Sequence, residues 1–181
     1  MPYRLIIALL AGALLLSAFV MEKPAPAPES VQWLTIEEAL EKHQKEPRKI
    51  FIDVYTDWCG WCKKMDQATF SHPQIASYLN EKYYAVKFNA EQRENLVFLG
   101  NTFKYVEQGR RGYHEFAAAL LQNKLSYPTV AFLDENLQLI QPIPGYMEPK
   151  QFDPILKYFG ESHYRTTSWT DFTATYQSPI E

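Results

Sequence analysis

The chain has 181 residues, 46% of them hydrophobic and 15% aromatic, with a formal net charge of −3. That length and composition suit one domain with a full hydrophobic core plus appendages, and they argue against general disorder. With a slight acidic balance and no long basic block, nucleic acid is excluded as an expected partner.

The first 21 residues have one early positive charge, Arg4, followed by an apolar run from Leu5 to Met21. This is the layout of a secretory signal peptide, and two readings follow from it: a cleaved signal or an uncleaved membrane anchor. No cysteine lies near residue 20 to carry a lipid. Residues 22–30, "EKPAPAPES", read as an extended Pro/Ala linker. The folded part, residues 31–160, is therefore expected outside the cytoplasm, periplasmic or otherwise extracytoplasmic, where disulfides persist. Residues 161–181 form a C-terminal extension to which the sequence assigns no function.

Val31 to Leu34 is a short strand candidate, and "TIEE" from Thr35 predicts a helix opened by a capping box. "KIFIDVYT", Lys49 to Thr56, reads as a buried strand, and a helix is expected from Cys59 to Thr69. Pro73 marks the first turn of a further helix after Ser71, and Tyr83 to Glu91 is a second core strand. Two alternating runs flank Gly100-Asn101, the composition of a two-residue hairpin loop. Gly109 and Gly112 bracket a basic turn, Arg110-Arg111, and a helix is predicted over Tyr113–Gln122. Residues 127–146 read as strand, turn and strand, with a last helix beginning properly only near Asp153 because Pro154 interrupts it. Ser168 caps a short extra helix. Strands alternating with helices and closed by a hairpin give α/β architecture, a central mixed sheet flanked by helices.

The chain's two cysteines, Cys59 and Cys62, fall where the first long strand runs into a helix. Three chemistries fit such a pair. A structural staple closing so small a loop would constrain little of the unfolded chain. A zinc site needs three or four ligands, and neither a second cysteine pair nor a grouped set of histidines is present. A redox pair fits best. Cys59 lies at a helix N-terminus, where free N–H groups favour a thiolate, and Cys62 lies one turn later on the same side. In this reading Cys59 is the exposed attacking thiol and Cys62 the resolving thiol, joined reversibly as a disulfide.

"FIDVYTDWCGWCKKM" resembles the active-site segment of the thioredoxin superfamily, and the resemblance extends from about Val31 to Gly160. Trp58 before the first cysteine, Asp53 six residues earlier, Lys87 in "AVKFNAE", Pro128 in "YPT" and Gly145 after the last strand all match that pattern. The resemblance implies a thioredoxin-like fold with an inserted hairpin between about Leu96 and Tyr127, where the hairpin and "GRRGYHEF" add a lip over the site, bind a partner or are a structural insertion only. It implies that Asp53 exchanges a proton with Cys62, with Lys87 as its supporting partner. It implies that Trp58, Gly60, Trp61, Tyr127 and a cis Pro128 form the substrate surface, Tyr127 offering its backbone to a substrate strand.

The implied activity is thiol–disulfide exchange without cofactor or metal, acting on disulfide-containing proteins. A membrane electron relay or another thiol–disulfide partner would supply electrons, and the N-terminal run would provide a possible tether. Gly60-Trp61 holds no histidine between the cysteines, which favours a reductase over a strong oxidant. Oxidase or isomerase chemistry on the same fold is the alternative, and a redox-inert binding or chaperone module is the competing class.

Overall fold

β1, Ile50–Tyr55, is the axis of the molecule, and its alternation decides what lies on either side. Phe51 and Asp53 point to one face of the sheet, and Ile50, Ile52 and Val54 to the other. The structure is a computed structural model describing residues 30–181, so the apolar N-terminal run and nearly all of the Pro/Ala linker lie outside the described residues.

Helix α1, Ile36–Lys45, precedes β1 and carries the expected capping box. The Glu38 N–H donates to the Thr35 hydroxyl (3.2 Å), and the Thr35 N–H donates to the Glu38 carboxylate (2.8 Å). The strand expected over Val31–Leu34 is reduced to a single parallel bridge between Leu34 and Val86. Before Leu34 the backbone is bonded to Asn80 and not to the sheet: the Gln32 N–H donates to the Asn80 side-chain oxygen (2.8 Å), and the Asn80 amide donates to the Ser30 carbonyl (2.9 Å).

After β1, the helix expected over Cys59–Thr69 splits. α2, Gly60–Met65, gives way to a wider π-type turn, Asp66–Phe70. α3, Pro73–Lys82, then leads into β2, Tyr84–Asn89. Its N-cap is His72. β2 runs parallel to β1 with Asp53 opposite Lys87. The helices between them supply the crossover that parallel strands require.

The insertion follows. β3, Leu96–Phe98, pairs with β4, Asn101–Phe103. The hairpin turn is Leu99-Gly100, one residue earlier than expected. Both residues have positive φ (49° and 78°), as this tight turn type demands, while Asn101 joins the strand opposite Phe98. A second small hairpin was not anticipated. β5, Tyr105–Val106, pairs with β6, Tyr113–His114, so the Arg110-Arg111 turn is its loop. Helix α4 consequently spans only Glu115–Leu120, with His114 as N-cap instead of beginning at Tyr113.

β7, Thr129–Leu133, returns antiparallel to β1, and β8, Leu139–Pro144, completes the order β2-β1-β7-β8. α5 runs from Pro149 through Pro154 to Gly160, so Pro154 does not delay it. Proline costs the helix one backbone bond. That loss is outweighed by the buried side of α5, Phe152, Leu156 and Phe159, and by the Glu148–Gln151 cap. α6, Trp169–Thr175, is capped by Ser168, whose hydroxyl accepts from the Asp171 N–H (3.1 Å).

Each face of the sheet has its own core. One gathers Phe51, Phe70, Tyr83, Phe132, Phe152 and Phe159, and the C-terminal extension adds Phe172 and Ile180 to it. The other is largely aliphatic, built on Ile50, Ile52, Val54 and Val86, with Phe88 and Phe116 joining from β2 and α4. Asp53 faces the aromatic side.

Candidate active site

β1 ends at Tyr55, and the Cys59 N–H closes a turn onto the Thr56 carbonyl (3.1 Å). That turn places Cys59 as the N-cap of α2. Cys59 and Cys62 form a disulfide with their Cα atoms 5.3 Å apart. The Cys62 N–H donates to the Cys59 sulfur (3.1 Å), so the first turn of the helix directs a backbone donor at the sulfur that would carry negative charge on reduction. In this disulfide form neither cysteine is exposed, at 5% for Cys59 and 3% for Cys62. The expectation of an exposed Cys59 therefore does not hold in the oxidised state.

Asp53 is 1% exposed, in mid-strand. Its Oδ2 lies 3.3 Å from the Lys87 ammonium but has no hydrogen-bond partner among the described residues. Lys87 is hydrogen-bonded instead to Asp66, in the π-type turn, and sits over the rings of Trp33 and Tyr55 at 5.0 and 5.1 Å. Burial pushes the Asp53 carboxyl up to about 6; Lys87 opposes this and Asp66 reinforces it. A carboxyl with that value exchanges protons near neutral pH, as a general acid–base group must.

Trp58 and Trp61, each directly before a cysteine, are 50% and 58% exposed. The Trp58 indole N–H donates to Glu91 (3.0 Å), its ring meets Tyr127 edge-on at 6.1 Å, and the Arg111 guanidinium lies 4.4 Å above it. Trp61 rests on Tyr146 at 5.4 Å, with the Lys64 ammonium 5.1 Å from its ring. A side chain at Gly60 would meet open space, so packing does not require glycine there. The Tyr127–Pro128 bond is cis. The Pro128 carbonyl accepts from the Gly145 N–H (2.8 Å), while the Tyr127 backbone has no hydrogen-bond partner among the described residues.

The expected residues thus fall into three groups. Cys59, Cys62 and Gly60 share one turn, Asp53 and Lys87 face each other across two strands, and Tyr127 joins Trp58. Trp61 stands apart, leaning on Tyr146. Sequence reasoning missed Asp66, Glu91, Lys64 and Tyr146, and it marked Arg111 only as part of a segment that could overhang the site. Asp66 had a signal: it lies four residues after Cys62, one more turn along the same helical side. Glu91 had none, and nothing in the sequence paired Arg111 with Trp58 in particular, since only the fold brings them together.

Comparison with known proteins agrees with this geometry. The sequence matches the thioredoxin-like domain family over residues 36–160. The thiol:disulfide interchange protein DsbD of Photorhabdus laumondii is 35% identical over 131 residues, 70% of this chain and 19% of that protein. Human spermatogenesis-associated protein 20 is 33% identical over 67 residues, 37% of this chain and 8% of that protein. The chain therefore spans less than a fifth of the length of these curated relatives. Among solved structures, a thioredoxin-fold protein from Helicobacter pylori superposes with a TM-score of 0.55 at 20% identity, covering 71% of this chain and 79% of that one. A DsbH oxidoreductase superposes with a TM-score of 0.54 at 17% identity, covering 80% and 95%. At such identities these two likenesses speak to the fold.

Proposed function

The chain belongs to the thioredoxin-like family, and from that premise we propose that it is an extracytoplasmic thiol–disulfide oxidoreductase that reduces protein disulfides. The observation that carries this reading is the Cys59–Cys62 disulfide at the start of α2, with a backbone N–H on the Cys59 sulfur and a buried, raised-pKa Asp53 in the strand that leads into it.

In the reduced protein, the Cys59 thiolate attacks one sulfur of a substrate disulfide. One substrate thiolate leaves, and a mixed disulfide forms. Asp53 takes the proton of Cys62, whose thiolate attacks the Cys59 sulfur and releases the second substrate thiolate. Two electrons pass to the substrate, and the released thiolates take up protons. A dithiol donor, through a membrane relay or another exchange protein, then returns Cys59 and Cys62 to thiols. The unpaired Tyr127 backbone beside Trp58 offers a place for one extended residue of the substrate.

The extracytoplasmic part of the proposal rests on the apolar run before residue 22, which lies outside the described residues. Among the described residues no helix is long and apolar enough to cross a membrane. The reductive direction rests on the Gly60-Trp61 dipeptide, which places no histidine beside the thiolate.

Equilibration of the full chain with glutathione tests the direction. A potential near or below about −230 mV fits a reductase, and one above about −150 mV would make disulfide formation its task. Cys59→Ser should abolish reduction of a protein disulfide. Retained reduction in that variant would remove Cys59 from the attacking role, and a parent protein that binds polypeptides but reduces none would be a binding module instead.

A further inference from the structure

The inserted segment reaches the active site at Arg111. Arg111, in the β5–β6 loop, lays its guanidinium 4.4 Å over the ring of Trp58, next to Cys59. On the side of Cys62, Lys64 places its ammonium 5.1 Å from Trp61 and 5.0 Å from Tyr146. Each exposed tryptophan of the site therefore carries a cation, one supplied by the insertion and one by α2. Arg110 and Lys63, beside them in sequence, are exposed as well.

These four cations form no ion pair with any described carboxylate. The acids of the neighbourhood are engaged elsewhere. Glu91 accepts from the Trp58 indole, Asp57 from the Asn89 amide (3.2 Å), Glu107 pairs with Arg93 (3.7 Å), and Asp66 holds Lys87. The loop itself is tightly built. The Gly112 N–H donates to the Tyr105 hydroxyl (2.8 Å), and a side chain at Gly112 would run into the Val106 carbonyl and the Tyr105 ring. The Arg111 guanidinium has no hydrogen-bond partner among the described residues, which leaves its N–H groups free to present the fork that matches a carboxylate. Glu91 and Asp57 have neutral donors and keep their charge, so the four cations outnumber the acids of the neighbourhood that lack a cationic partner, in a chain whose net charge is −3.

We infer that Arg111 and Lys64, with Arg110 and Lys63 behind them, form a cationic lip that selects polypeptides carrying carboxylate side chains beside their reactive cystine. The inference rests on the oxidoreductase reading above and adds the class of substrate. Charge on the lip raises the encounter rate with an acidic partner and lowers it with a basic one, and salt screens both effects.

The test uses the full chain, reduced and freed of excess reductant, and three peptides with one internal cystine each. They differ only in the residues beside the half-cystines: aspartate, serine or lysine. Single-turnover reduction rates, each divided by the rate of the same peptide with dithiothreitol, remove differences in intrinsic reactivity. At low salt the aspartate peptide should react roughly threefold or more faster than the serine peptide, and the lysine peptide more slowly. At about 0.5 M salt the ratios should approach one. The aspartate-to-serine ratio should fall in Arg110→Gln/Arg111→Gln and again when Lys64→Gln is added, while Arg111→Lys should keep most of it. Equal rates for the three peptides at low salt, or a preference that survives removal of all three charges, would overturn the lip and leave the oxidoreductase reading standing. Reduction of none of them would overturn both.

Discussion

Asp53 and Asp153 are both buried, and they lie in regions that treat a buried carboxyl in opposite ways. Asp153, on α5, accepts a hydrogen bond from the Tyr176 hydroxyl (2.6 Å), which the C-terminal extension brings to it. Asp53, on β1, has an oxygen with no hydrogen-bond partner and a lysine that is bonded to a different acid. A buried polar group that is satisfied contributes to the architecture, and one left unsatisfied carries a cost that needs another reason. At Asp153 the partner pins the extension to the aromatic core. At Asp53 the cost shows as a carboxyl pushed up to about 6, the property that the proposed proton exchange with Cys62 would use.

The sharpest test of the contrast is Asp53→Asn. We expect the step in which Cys62 resolves the mixed disulfide to slow by roughly tenfold or more, because its proton acceptor is gone. Stability should move the other way. The unfolded carboxyl ionises near 3.8 and the folded one near 6, so the folded state binds the extra proton between these values. Stability is then full below about pH 4 and is lost as pH rises through about 6, at a cost of about 3 kcal/mol when both states are ionised. The asparagine variant should therefore be more stable than the parent at pH 7 by about 1–3 kcal/mol and should lack that decline. Denaturant unfolding at pH 4 and pH 7 measures both, and a variant less stable at pH 7 would mean that Asp53 is a structural acid like Asp153.

Tyr176→Phe probes the other acid. It leaves the Asp153 carboxyl buried without its donor, and we expect a loss of about 1–3 kcal/mol in unfolding free energy with turnover of the reduced protein unchanged. If the melting temperature stays the same while turnover falls, the extension serves the site and the contrast between the two acids collapses.

How much of this could be read beforehand follows from the range of each signal. The run of β-branched and aromatic residues in "KIFIDVYT" put Asp53 in a buried strand, and the spacing of Cys59 and Cys62 put them on one turn. Both are local facts, and both match the structure. So does the Thr35–Glu38 capping box, a contact between residues three apart. Pro154 misled because a local penalty was weighed without the apolar side of α5 that outweighs it. The β5–β6 hairpin escaped notice because its strands are two residues long, too short for alternation to register. Partners such as Arg111 for Trp58, or Tyr176 for Asp153, are set by where the chain returns, and no spacing in the sequence encodes that.

The smallest expected effect concerns Lys87, and it decides what holds Asp53 near neutrality. Burial raises the carboxyl most, the ammonium 3.3 Å away lowers it, and Asp66 raises it. Lys87→Met removes the one influence that favours the anion. The pH at which single-turnover reduction becomes half-maximal should then move upward, with little change in the limiting rate at high pH, where Asp53 is ionised in either case. Adding Asp66→Asn should bring the midpoint part of the way back, because the remaining negative charge that opposes ionisation is gone. A midpoint that did not move in Lys87→Met would mean that the lysine serves Asp66 alone, and that Asp53 is tuned by burial without a counter-ion.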